Sequence, residues 1–250
     1  MLASREKHII LILDKHLQMI PWENISCLKS RSVSRMPSVS FLRDYIYIHG
    51  PVNGSVDVDS SSLYYVLNPG QDLKHTQREF EEMLLKEEKW TGKIAEAPPE
   101  SDMVQALKAK DIFMYFGHGG AEQFIQGHKI RNLPRCATAL LLGCSSGRLH
   151  QAGEFDSWGT VMNYLIAGSP AVVANLWDVT DKDLDRFSKT LLEKWGIDDD
   201  PENVSLTEAV VSSRSACILK YLVGAAPVVY GIPVQIPTKS THKNNLFSLP

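Results

Sequence analysis

Cysteine is scarce in this chain of 250 residues, and the four present, Cys27, Cys136, Cys144 and Cys217, have no paired spacing. No C-x-x-C zinc pattern exists, and a chain long enough to bury a large core has little need of a disulfide framework. Reduced thiols fit a reducing compartment, so localisation in cytoplasm and nucleus is expected. Long apolar runs are also missing. None approaches the roughly 20 residues that cross a bilayer, so no direct membrane binding is expected. The first apolar run, 9–13, is broken by Asp14 and Lys15 and is too short for the core of a signal peptide. Charge of one sign is not in excess: 26 basic against 29 acidic residues give a net charge of −3. That argues against bulk nucleic-acid binding, which needs a concentrated positive surface. A P-loop and a G-x-G-x-x-G at a strand–helix junction are both absent, leaving a nucleotide-binding α/β protein without its phosphate cradle. No repeat or low-complexity segment interrupts the sequence.

What is present is an alternation of short apolar runs with amphipathic segments. Runs 9–13, 63–67, 112–116, 137–142 and 171–176 read as strands, the first as one buried on both faces. A late strand over 228–234 contains Pro233, which places it at an edge or a bulge. Helices are expected from Val39, capped by Ser38, to about Tyr47, and over 76–89, 102–108, 159–167, 180–195 and 206–222. Pro21 opens a short helical turn to Ile25, and residues 29–37 are a loop, a short strand or a binding surface whose cations read as solvated. The turn-rich segment 50–62 reads as a loop or insertion, and the polar tail from Thr238 as frayed. Strands alternating with helices imply a three-layer α-β-α fold around a mostly parallel sheet, with chemistry beyond the carboxyl ends of the strands. All 250 residues read as one such domain. Because a core strand begins almost at the N-terminus, an upstream part of the same protein is expected as a partner.

Two strand ends carry the chemistry. One run stops at Gly117 and delivers His118, followed by Gly119 and Gly120; another stops at Gly143 and delivers Cys144, followed by Ser145, Ser146 and Gly147. A thiol and an imidazole brought to one sheet edge make a nucleophile–base pair. The imidazole and an exposed polar turn are expected to lower the thiol pKa. The N–H of Cys144, with that of Gly119 or Gly120, is positioned for an oxyanion. The remaining cysteines and His49, His75, His128 and His150 read as packing or surface residues.

The segments Phe116-Gly-His-Gly-Gly120, Leu142-Gly-Cys-Ser-Ser-Gly147, Gly153-Glu-Phe-Asp156, 163–168 and 175–187 resemble the catalytic domains of the separase family, caspase-like cysteine peptidases. The resemblance implies a caspase-like fold, His118 as general base and Cys144 as nucleophile. It also implies cleavage after arginine at acidic-x-x-Arg sites in the cohesin kleisin subunit, inhibition by a securin-type pseudosubstrate, and no metal or cofactor. An arginine at the position before the scissile bond (P1) needs an acidic partner. Thr180 with Asp183 reads as a capping box, and Asp181 as a first-turn acid. Asp185, on the shoulder of the stripe Leu184, Phe187 and Leu191, is therefore the expected base of the P1 pocket, with Asp178 as runner-up and Trp177 as an apolar wall. Glu154 and Asp156 are candidates for holding substrate N–H groups. Arg148 is a candidate for an acidic side chain upstream of the arginine. Two alternatives stay open: a CHAT-type caspase-like protease, which the run 177–183 disfavours, and a catalytically silent scaffold, which the intact His118 and Cys144 disfavour.

Overall fold

The computed structural model describes residues 7–50, 55–197 and 204–238. In chain order its elements are β1 (Ile9–Ile12), β2 (Val33–Met36), α1 (Val39–His49), β3 (Val56–Asp57), β4 (Leu63–Leu67), α2 (Lys74–Lys86), β5 (Thr91–Ile94), α3 (Glu100–Ala109), β6 (Ile112–Phe116), α4 (Gly127–Arg131), β7 (Thr138–Leu141), β8 (His150–Ala152), β9 (Phe155–Trp158), α5 (Thr160–Ile166), β10 (Ala171–Asn175), α6 (Asp181–Trp195), α7 (Leu206–Ser213), β11 (Pro227–Gly231) and β12 (Val234–Gln235). Eight strands form one sheet in the order β1-β2-β11-β10-β7-β6-β4-β5. From β5 to β10 every pairing is parallel. β11 pairs antiparallel with β10, and β2 and β1 follow β11 in parallel, so these three strands run against the rest.

Strands β4, β6, β7 and β10 are buried throughout, and their alternate residues face two cores. On one face Leu63, Tyr65 and Leu67 join Phe80 and Leu84 of α2, Leu184, Phe187 and Leu191 of α6, and Leu206 and Val210 of α7. On the other, Tyr64 and Val66 join Tyr45 of α1, Met103 and Leu107 of α3, Ile130 of α4, and Val161 and Tyr164 of α5. This is the expected three-layer arrangement. Among the described residues no helix is long and apolar enough to cross a membrane.

Several local expectations are corrected. The run at 9–13 forms an edge strand, only half-buried and antiparallel to the strands that carry the candidate site. An apolar run signals a strand without encoding its direction. The late strand β11 lies inside the sheet and is fully buried, because it ends at Gly231 before Pro233. The segment 29–37 contributes β2, and Arg35 is buried rather than solvated. The helix expected over 206–222 stops at Ser213. The N–H groups of Ile218 and Leu219 instead donate to the Asp183 carboxylate at 3.0 and 2.8 Å. Asp183 therefore makes no capping box with Thr180, whose side chain caps nothing. The capping box is at Ser205 and Glu208, opening α7. Ser38 caps α1 as expected, through the Phe41 N–H at 3.1 Å. Cys136 and Cys217 are buried and Cys27 is exposed. The frayed-tail expectation falls, beyond Thr238, outside the described residues.

Arg35 holds the N-terminal segment onto the sheet. Its guanidinium donates to Glu23 at 2.6 and 2.8 Å and to the carbonyls of Gln18 and Ile20. The buried Arg214, pushed down to about 10 by burial, is steadied by the same Glu23 carboxylate. Glu23→Ala is expected to destabilise the fold by about 3–5 kcal/mol, because it strands buried cations rather than merely deleting a bond. Thermal or urea denaturation checks this, and a loss below about 1 kcal/mol contradicts it.

Candidate active site

The His and Cys turns lie at neighbouring carboxyl ends, since β6 and β7 pair in parallel with Tyr115 opposite Leu141. They touch through backbone. A methyl group on Gly143 would fall 2.2 Å from the Gly119 carbonyl oxygen and 2.4 Å from that of Gly117, so only glycine allows this approach. Both turns are braced. The Tyr115 hydroxyl donates to the His118 carbonyl at 3.0 Å. Asn175, at the end of β10, donates its side-chain amide to the Gly143 carbonyl at 2.9 Å, and its backbone N–H to Ser146 Oγ at 3.0 Å. Gly119 takes a left-handed φ (+64°) freely, whereas the same region at Ala121 (+72°) and Ser145 (+53°) places backbone strain around the pair.

The resting hydrogen bonds do not join sulfur to imidazole. Cys144 is partly buried, and its Sγ donates to the Val179 carbonyl at 3.1 Å. His118 Nε2 bonds Asp72 Oδ2 at 2.8 Å, with both side chains more than half exposed. The expected lowering of the thiol pKa is therefore overturned. Burial pushes the Cys144 thiol up, the Asp181 and Asp178 carboxylates add to this, and bonding with the Val179 backbone only opposes it. Asp72 is held below the usual carboxylate range, first by its bond to His118. Its carboxylate is thus ionised above the ordinary range, and the associated stabilisation is lost only as pH falls through the depressed value. By occupying Nε2, Asp72 leaves Nδ1 as the nitrogen free to exchange a proton.

The N–H groups of Gly119 and Cys144 make no hydrogen bond within the described residues. That of Gly120 donates to Glu122 Oε2 at 2.7 Å, which removes it as an oxyanion donor and leaves the Gly119–Cys144 pair. Asp185 is buried where α6 meets the start of α2. Its Oδ2 accepts from His75 Nδ1 at 2.9 Å and Thr76 Oγ1 at 3.2 Å, and burial raises its pKa despite both bonds. It makes no hydrogen bond to Cys144 or His118; its partners His75 and Thr76 follow Asp72, the partner of His118, by three and four residues. Asp178 is exposed and accepts from Ser145 Oγ at 2.6 Å. Trp177 is half-buried, its indole N–H donating to the Leu222 carbonyl at 2.7 Å. Glu154 and Asp156 are exposed on the β8–β9 hairpin, where Glu154 lies 3.6 Å from Lys15, and neither carboxylate bonds to the catalytic turns. Arg148 is exposed beside the Cys turn. Among the described residues no group of three or more His, Cys, Asp or Glu side chains is arranged to hold a metal.

Comparison with known proteins decides the family. Residues 2–184 match the model described as separin, protease domain. The chain belongs to the separin protease-domain family. It is 50 % identical over 238 residues to separin of Schizosaccharomyces pombe, a match covering 93 % of this chain and 13 % of that protein. To separin of Mus musculus it is 40 % identical over 239 residues, covering 94 % and 11 %. The crystal structure of the Saccharomyces cerevisiae separase–securin complex superposes with a TM-score of 0.86 at 36 % identity, covering 92 % of this chain and 16 % of that one. The chain thus spans between 11 and 14 % of the length of four curated separins that it matches. Sequence reasoning missed Asp72, Glu122, His75 and the Val179 carbonyl. Asp72 follows β4, the strand beside β6, so the rule that chemistry collects at parallel carboxyl ends already pointed to it.

Proposed function

We propose that the chain is a cysteine endopeptidase domain that cleaves after arginine by acyl transfer. The observation that carries this reading is the pair of unpartnered N–H groups, Gly119 and Cys144, beside a thiol and an imidazole on touching turns. On substrate binding the thiol leaves the Val179 carbonyl and passes its proton to His118 Nδ1. The thiolate sulfur attacks the carbonyl carbon, and the two N–H groups hold the oxyanion. The imidazolium, oriented by Asp72, gives its proton to the leaving amine, and water hydrolyses the thioester. Asp185 receives the arginine, with Trp177 beside its stem.

Membership of the separin family and the likeness to a separase crystallised with securin support a wider role in chromosome segregation. In it the substrate is the cohesin kleisin subunit, cut at acidic-x-x-Arg sites, a securin-type protein blocks the cleft as a pseudosubstrate, and the protein works in cytoplasm and nucleus. An arginyl peptide bearing a thiol-reactive electrophile tests the core of the reading. Intact-mass measurement should show one covalent adduct on Cys144, and no capture contradicts the proposal.

Asp72→Asn is expected to lower kcat about 10- to 100-fold with little change in KM, because it loosens the ring without touching substrate. Steady-state kinetics checks this. An unchanged kcat removes Asp72 from the mechanism.

A further inference from the structure

The two sides of Cys144 differ in charge. Asp72 precedes α2 and Asp181 and Asp185 lie on α6, while Asp178 accepts from Ser145 Oγ between the two sides. On the face of α5 lies an open groove of about 390 Å³ whose wall includes Ser145, Glu122, Thr160, Arg148 and His150. Glu122 is already engaged there, accepting from the Gly120 N–H and the Thr160 hydroxyl. The Arg148 guanidinium has no hydrogen bond or ion pair among the described residues. Arg148 is the one lysine or arginine in the groove's wall, and the Glu122 carboxylate beside it is held by neutral donors. Arg148 is held in place by backbone: its N–H donates to the Ser145 carbonyl at 3.0 Å, closing a turn directly after the nucleophile. Such a turn keeps the Arg148 Cα within ~11 Å of that of Cys144, the span of about three residues of extended peptide.

A substrate with its arginine at Asp185 must cross the sheet edge at Cys144, and its continuation runs onto the α5 side. We propose that this groove holds the substrate segment after the scissile bond and that Arg148 selects an acidic side chain within its first three residues. The inference rests on the reading of Cys144 as nucleophile and Asp185 as arginine pocket. It moves Arg148 from the upstream position that the sequence offered it to the downstream one.

Competition between two peptides tests it. Both share one acyl side ending in arginine, and they carry glutamate or lysine at the first three downstream positions. Because both are cut in one mixture, the amount of folded enzyme cancels from the ratio. The wild-type protein is expected to favour the glutamate peptide about fivefold in kcat/KM at low salt, as a solvent-facing charge pair allows, and less as ionic strength rises. Arg148→Ala should bring the ratio close to one, and Arg148→Glu should invert it. A wild-type ratio of one with both peptides cleaved overturns the groove assignment and leaves the protease reading standing. So does an Arg148→Ala variant that keeps the wild-type ratio. Failure to cut either peptide overturns both.

Discussion

Cys144→Ser is expected to abolish peptide cleavage, lowering kcat by at least about 1,000-fold, while the fold survives unchanged. The two halves of that result have different causes. The Cys144 side chain is partly buried, and its one donated bond goes to the Val179 carbonyl, which a serine hydroxyl can also reach. The change in stability should stay below about 1 kcal/mol. A serine hydroxyl is far harder to deprotonate, and an imidazole tethered to an exposed carboxylate lacks the buried partner that serine enzymes use to drive that step. The wild-type thiol is itself raised, so its thiolate fraction grows only as pH climbs past the ordinary thiol range. Alkylation of the resting protein by iodoacetamide should accelerate with pH without levelling off near neutrality. Activity carried by Cys144→Ser, or an arginyl electrophile that still labels it, removes the nucleophile assignment.

The catalytic turns were legible because a buried strand that stops at glycine is a strong and local signal, and β6 and β7 each end that way. The carboxyl-end rule then brought His118 and Cys144 to one edge without any knowledge of register. Strand direction was not legible. β1 and β11 are apolar runs like the others, and their reversal is set by which neighbour they meet in space. Polar partners separated by long stretches were equally hidden. Asp183 looked like a local helix cap, yet it serves N–H groups 35 and 36 residues away. Arg35 looked solvated in a basic stretch, and its burial depends on Glu23 and carbonyls in a segment with no regular pattern. The thiol pKa was misjudged for the same reason. The sequence shows a nearby histidine, but the fold gives that histidine to Asp72 and brings the Asp178 and Asp181 charges close enough to raise the thiol.

Asp185→Asn is expected to separate function from stability in opposite directions. The carboxylate is buried, and its folded pKa lies above the ordinary value because burial outweighs the bonds from His75 and Thr76. A carboxyl raised in this way favours the fold below its unfolded value and loses that contribution as pH rises through its folded value. At neutral pH the ionised Asp185 is therefore a burden on the fold. Asparagine keeps the shape and can still accept from His75 or Thr76, so the melting temperature should hold or rise. Cleavage after arginine should fall by about 100-fold in kcat/KM, since a charge-assisted bond to a buried carboxylate is worth up to ~3 kcal/mol. An acceptor for that bond is at hand, because Oδ2 takes both resting donors and Oδ1 makes no hydrogen bond among the described residues. A citrulline peptide has the same outline as the arginine peptide without its charge. Wild type should prefer arginine strongly, whereas Asp185→Asn should scarcely distinguish the two. If the variant loses stability and activity together, Asp185 is a tie between α2 and α6 and nothing more. If it keeps its preference for arginine, the pocket passes to Asp178, which is exposed and bonded to Ser145.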